Sequence, residues 1–216
     1  MQKVSNIIQI SAGEHHVSML DANGSVWNVG YNGNGQFGIN SVASMSLPIQ
    51  MQDADGSILY GVKEVAAGRY HNVVLKEDGT VWTVGNGSGG ALGDGTATTK
   101  NVITQVKKQV VKEEEETVES ITDAKHVYAG GDATYISRQK DEEGNNQGMY
   151  VMGWNNYGQL FTQDTTNRVY ATEVQTDKDI LTAGTTRNRY AKWSTEFSYQ
   201  TGAIADADGM VYTVGY

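Results

Sequence analysis

The chain has no cysteine, one proline (Pro48) and only three phenylalanines among its 216 residues. Without cysteine there is no disulfide framework, thiolate metal site or cysteine nucleophile, and both reducing and oxidising compartments stay open. Positive charge is also scarce: 16 Lys and Arg against 25 Asp and Glu leave a formal net charge of −9. Such a field repels phosphate backbones and anionic headgroups, so neither nucleic acid nor a membrane surface is expected as a partner. No apolar run reaches membrane-spanning length, and the opening residues, Met1 to Ile8, lack the apolar stretch and small-residue cleavage site of a secretory leader. Sustained apolar periodicity at helical spacing is missing too.

Glycine, by contrast, is abundant at 26 residues, and 12 tyrosines and four tryptophans stand beside runs of Val, Ile and Thr. With so little proline, tight turns fall to residues that accept positive φ, while the aromatic and β-branched content favours strands. The expected fold class is all-β.

Self-similarity organises the chain. An Ala-Gly pair recurs at Ala12-Gly13, Ala67-Gly68, Ala129-Gly130 and Ala183-Gly184, with glycine spacings of 55, 62 and 54. Each pair follows a short β-prone run and precedes a second apolar segment. Three copies then reach a hairpin turn, at Asn23-Gly24, Asp78-Gly79 and Asp208-Gly209, whereas copy three has a longer polar loop from Lys140 to Gln147. Third strands end on glycine at Gly30, Gly85, Gly153 and Gly215. Glycine-rich corners follow in three copies, closing at Gly38 and Gly93 in the first two, and Leu47–Met51 and Val102–Val106 supply fourth strands. Four strands per repeat of this length describe a β-propeller blade. The whole of 1–216 reads as one propeller segment of four repeats, approximately 4–55, 56–118, 119–176 and 177–216, the last short of its final strand.

These residues resemble the repeat of the regulator of chromosome condensation family, whose pattern runs Ala-Gly, two residues, His, a strand, Asp-Gly, a strand ending in Gly, then Asn-x-x-Gly-Gln-Leu-Gly. Gly13 and Gly68 are followed by His16 and His71 at the family's spacing, and Leu92 to Thr99 looks like bacterial variants of the repeat. Copies three and four depart, with Ala133 and Arg187 at the histidine position and Phe161 at the last corner glycine. The resemblance implies a propeller usually of more blades than four, so the expectation is an incomplete ring, completed by more chain or by another copy through its open blade edges.

Chemical motifs are sparse. Gly33-x-Gly35-x-x-Gly38 and Gly85-x-Gly87-x-x-Gly90 match a dinucleotide fingerprint in form, but no helix follows to receive a pyrophosphate, and a repeated β corner accounts for them. Four histidines, His15, His16, His71 and His126, show no metal spacing; His16 and His71 share one repeat position and are expected to hydrogen-bond within their own blades. Asp53-Ala54-Asp55-Gly56 and Asp206-Ala207-Asp208-Gly209 open like calcium loops but lack the distal ligands, leaving hairpin turns as the account. Lys107-Lys108 and Lys112 to Glu116 read as an exposed hairpin or insertion. No catalytic, cofactor or metal residue is assigned.

The expected function is therefore a non-enzymatic protein-interaction scaffold, with the family resemblance favouring a bacterial secreted or cell-surface setting. Two alternatives stand beside it. One is glycan or cell-wall binding through Tyr31, Trp154, Tyr157 and Trp193; the other is an enzyme with a site at the channel mouth. The single locally basic stretch nominates Arg187, Arg189, Tyr190 and Trp193 as a partner-contact patch, because Arg, Tyr and Trp dominate interface hot spots.

Overall fold

The computed structural model describes residues 4–112, 115–176, 180–186 and 201–215. The chain forms β-propeller blades, antiparallel sheets whose strands lie side by side in sequence order. Blade 1 holds β1 (Ile7–Ala12), β2 (His16–Asp21), β3 (Val26–Gly30) and β4 (Met45–Gln50). Blade 2 holds β5 (Val62–Ala67), β6 (His71–Lys76), β7 (Val81–Gly85) and β8 (Lys100–Gln105). A hairpin of β9 (Lys107–Lys112) and β10 (Glu115–Ser120) follows. Blade 3 holds β11 (Ala124–Gly130), β12 (Ala133–Arg138), β13 (Met149–Gly153) and β14 (Arg168–Val174), and in blade 4 β15 (Ile180–Thr186), β16 (Thr201–Asp206) and β17 (Val211–Gly215) are described. The hairpin joins the outer edge of blade 3 through a parallel pairing of Ala171 with Lys108, widening that sheet to six strands.

Local chemistry explains the shared hairpins. In blade 1, Asp21 Oδ1 accepts the N–H groups of Asn23 and Ser25 at 2.9 and 3.0 Å, and its Oδ2 accepts Trp27 Nε1–H at 2.9 Å. Blade 4 repeats the device: Asp206 accepts from Asp208 and Met210, and the Tyr212 hydroxyl donates to its second oxygen. Blades 2 and 3 place a cation there instead, Lys76 over the Trp82 ring at 5.1 Å and Arg138 over Tyr150 at 4.6 Å. The second calcium-like stretch is thus a turn, and in the first Asp55 accepts from both the N–H and the hydroxyl of Ser57. Among the described residues no group of three ligating side chains could hold a metal ion.

The glycines that end the third strands are forced. Gly30, Gly85 and Gly153 have φ of 108°, 112° and 108°, and a Cβ on them would meet the carbonyl oxygens of His15, Tyr70 and Asp132 at 2.5, 2.4 and 2.4 Å. At the corner the backbone outlasts the residue type: Gly38 and Gly93 have φ of 63°, and Phe161 holds 61° at the same place. Left-handed backbone costs a non-glycine residue about 1 kcal/mol or more, and the Phe161 ring offsets this by packing on the core between blades 3 and 4.

Copy four differs from its spacing. The ladders pair Ala12 with Val17 and Ala67 with Asn72, and the equivalent pair in blade 4 is Thr185 with Gly202. Thr186, rather than Gly184, therefore holds the place of Gly13, and Thr201 holds the place of His16. Register is set by cross-strand partners and side-chain alternation, not by a dipeptide, so the Ala-Gly pair sits two residues earlier on its strand. Gly130 keeps the expected place, paired with Ala133.

Apolar side chains fill the seams between consecutive blades. Leu20, Val26, Met51 and Leu59 of blade 1 meet Val62, Val65, Val74 and Val84 of blade 2. Val73, Leu75, Val81 and Val106 meet Val127, Ile136 and Met152, and beyond blade 3 Tyr135, Val151 and Leu160 meet Ile204.

Candidate functional site

Blades 1 to 3 each turn from the first to the second strand through a short tip, and these tips are joined by backbone hydrogen bonds. Glu14 N–H donates to Arg69 O at 3.2 Å and Arg69 N–H donates to Gly131 O at 2.8 Å. Behind them the repeat histidines lock the blades. His16 Nε2 meets Asn72 Oδ1 at 3.0 Å, and His71 Nε2 meets Thr134 Oγ1 at 3.0 Å, so each histidine bonds across the seam to the next blade rather than within its own. As a carboxamide oxygen only accepts, His16 carries its proton on Nε2. Both rings lie flat against a tip glycine; a Cβ on Gly13 or Gly68 would sit 2.2 or 2.1 Å from the ring carbon. Burial holds both histidines below the usual imidazole range, His71 down to about 3.

This rigid backing presents a cluster of six side chains. Arg69 binds the Glu14 carboxylate through Nε, and its second arm lies 3.8 Å from Asp132 of blade 3. Its guanidinium stacks 4.9 Å from the Tyr70 ring. Tyr70, Tyr31 and His15 form a triangle of rings with centroids 5.9 to 6.3 Å apart. Partial burial raises the Glu14 pKa, but the hydrogen bond and charge of Arg69 outweigh it, so Glu14 stays ionised below the ordinary carboxylate range. His15 and Tyr31 are exposed, and Arg69, Tyr70 and Asp132 are half-buried. Chemically the cluster is an aromatic and cationic surface bordered by carboxylates, not a nucleophile with a base.

The sequence-nominated patch of Arg187, Arg189, Tyr190 and Trp193 lies outside the described residues. Of the glycan-candidate aromatics, Tyr31 joins the tip cluster and Tyr157 is exposed at another corner, while Trp154 is half-buried over Gly89 of blade 2; Trp193 also lies outside. His126 pairs with Glu64 at 3.2 Å. Sequence reading missed Glu14, Arg69, Tyr70 and Asp132. The signal was present in the two residues between the tip glycine and the histidine, where consecutive copies carry Glu14 and Arg69, opposite charges at one repeat position.

Family models for the regulator of chromosome condensation (RCC1) repeat match residues 23–75 and 62–91. Residues 23–91 are thus similar to the regulator of chromosome condensation repeat. Similarity in sequence extends to the E3 ubiquitin-protein ligase MYCBP2 of Danio rerio, 40% identical over 86 residues, which are 40% of this chain and 2% of that protein. The ultraviolet-B receptor UVR8 of Arabidopsis thaliana is 29% identical over 158 residues, 71% of this chain and 31% of the receptor. In structure the chain resembles human WBSCR16 with a TM-score of 0.67 at 22% identity, covering 97% of this chain and 47% of that one. The chain thus spans less than a third of these two relatives and about half of the solved propeller. The RCC1-type resemblance holds, but these matches come from a fish, a plant and a human, and none supports the bacterial variant expected from Leu92 to Thr99.

Proposed function

We propose that the chain is a non-enzymatic protein-interaction scaffold that binds through its blade tips. The observation that carries this reading is the cluster itself: tyrosine and arginine, the residues richest in interface hot spots, stand beside each other on a backbone fixed by inter-tip hydrogen bonds and buried histidines. Side chains ordered before contact lose little freedom on binding, which favours affinity. The propeller fold suits the role, since repeats supply a stiff frame and loops supply specificity. A bacterial surface or secreted setting draws no support from the relatives and forms no part of the reading. Glycan binding has less behind it, because one of its aromatics, Trp154, is half-buried in packing between blades.

Selection of binders from a displayed protein library against the chain tests the proposal. Binders are expected to concentrate on the tips, with Arg69→Ala and Tyr70→Ala each weakening a majority of them by about 30-fold. Lys140→Ala, in the exposed loop of blade 3, should leave them unchanged. Binders that spread evenly over the surface, indifferent to Arg69 and Tyr70, would refute it.

A further inference from the structure

A strand can still be added at the edge of a sheet, because alternate residues there turn an unpaired N–H and C=O outward. The outer edges of the first two blades are irregular. On blade 1 the edge strand β4 carries Pro48, and its ladder to β3 shifts register between Asn28 and Gly30; on blade 2 the β7–β8 ladder shifts at the equivalent place, between Thr83 and Gly85. On blade 3 the edge is filled instead, since β9 lies against β14. That addition passes the edge outward to β10, the last strand of the six-stranded sheet.

The β10 edge is regular. Its six residues include neither proline nor glycine, and all of them pair with β9 without a shift in register. Among the described strands none is hydrogen-bonded to its other side. Side chains alternate between a face of Glu115, Thr117 and Glu119 and a face of Glu116, Val118 and Ser120. The second face is partly apolar: Val118 is 47% exposed, and Val111, diagonal to it on β9, is 71% exposed. On its filled flank β10 already takes a lysine-bearing strand, with Lys112 opposite Glu115 and Lys108 opposite Glu119. Its free flank offers Glu115, Glu116 and Glu119 and no cation.

We infer that the free edge of β10 binds an extended basic segment of a partner protein by strand addition, with lysine or arginine opposite the three glutamates and an aliphatic residue opposite Val118. The partner's backbone completes the edge, its cations meet the carboxylates, and its aliphatic side chain extends the stripe of Val111 and Val118. A second copy does not fit. Antiparallel pairing of two β10 strands sets Glu115 opposite Glu119 or, in the neighbouring register, Glu116 opposite Glu119, and like charges facing each other across a ladder destabilise it. None of the tip residues contributes to this edge, so it is a second contact surface, separate from the tips.

Fluorescence anisotropy of a labelled peptide, Lys-Lys-Val-Thr-Lys-Lys, titrated with the intact chain reads the interaction. Saturable binding is expected, and Glu115→Lys combined with Glu116→Lys should weaken it about tenfold or more, the scale of two reversed cross-strand charge pairs. Both carboxylates are exposed, so thermal unfolding of that variant should match the parent. Arg69→Ala, at the tips, should leave the affinity unchanged. Two N-methylated forms of the peptide, blocked at alternate sets of amides, separate strand addition from simple attraction of charge. One should lose binding and the other keep it, because only alternate N–H groups face β10. Absence of binding, equal binding by the two methylated peptides, or indifference to the paired glutamate reversal would overturn the inference.

Discussion

At the seam between blades 1 and 2, four structurally equivalent positions hold His16, Ser18, Asn28 and Asn72, all buried and linked in one hydrogen-bonded group. At the next seam the same positions hold His71, Val73, Thr83 and Thr134, and at the third Ala133, Tyr135, Val151 and Gly202. One interface geometry is therefore filled by a polar network, by a mixture and by apolar packing in turn. What persists is a bond to the corner carbonyl of the leading blade: Asn72 Nδ2 donates to Gln36 O at 2.8 Å, Thr134 Oγ1 to Ala91 O at 2.9 Å, and the Tyr135 hydroxyl to Gln159 O at 2.9 Å. Gly202 leaves room for that last arrangement, since a Cβ on it would lie 2.3 Å from the Gln159 oxygen. The propeller needs the corner carbonyl satisfied and is indifferent to which side chain does it.

The polar seam should be the one most easily broken. Asn72→Ala strands the His16 N–H and the Gln36 carbonyl together and leaves the Asn28 carboxamide oxygen with the Ser18 hydroxyl alone, where His16 Nδ1 and Asn28 Nδ2 already lack partners. A loss of about 3 kcal/mol is expected in urea denaturation. The middle seam should answer to acid. Unfolded histidine takes up a proton near its ordinary value of 6.5, whereas folded His71, desolvated by burial, does so only at about 3, so its stabilising contribution is complete above pH 6.5 and declines as the pH falls toward 3. By about pH 5 the cost is roughly 2 kcal/mol. Thermal melts at stepped pH should show the fall, and His71→Gln should flatten it. The apolar seam should be the most forgiving: Tyr135→Phe removes one neutral hydrogen bond from a well-packed ring, for about 1 kcal/mol in the same denaturant assay. Equal losses at all three seams would erase the distinction.

Much of this was legible beforehand. Three of the third strands run where Val26-Trp27, Val81-Trp82 and Val211-Tyr212 place them, because alternation bounded by a hairpin turn and a forced glycine leaves little freedom. The hairpin expected around Lys107 to Glu116 is present. Cross-seam partners were not legible: His16 meets a residue 56 positions away, and nothing in the repeat pattern distinguishes a bond within a blade from one between blades. The corner asparagines were passed over for the glycines beside them, yet Asn32 and Asn155 hold their loops by accepting the N–H of Phe37 and Leu160 and donating to loop carbonyls. In blade 4 the register that pairs Thr185 with Gly202 broke the count from Ala183-Gly184.

The hairpin on blade 3 bears on how such a fold acquires length. Both ends of the β9–β10 excursion are anchored in the blade 2–3 core, Val106 with no exposure and Ile121 with 1%, and Ile121 N–H closes on Val106 O. Whatever lies between those two residues leaves and re-enters the core at one point, so its size does not alter the spacing of the blades. That stem works as a graft port: a peptide epitope or a small folded domain spliced between β9 and β10 would be carried at the rim while the neighbouring seams keep their register.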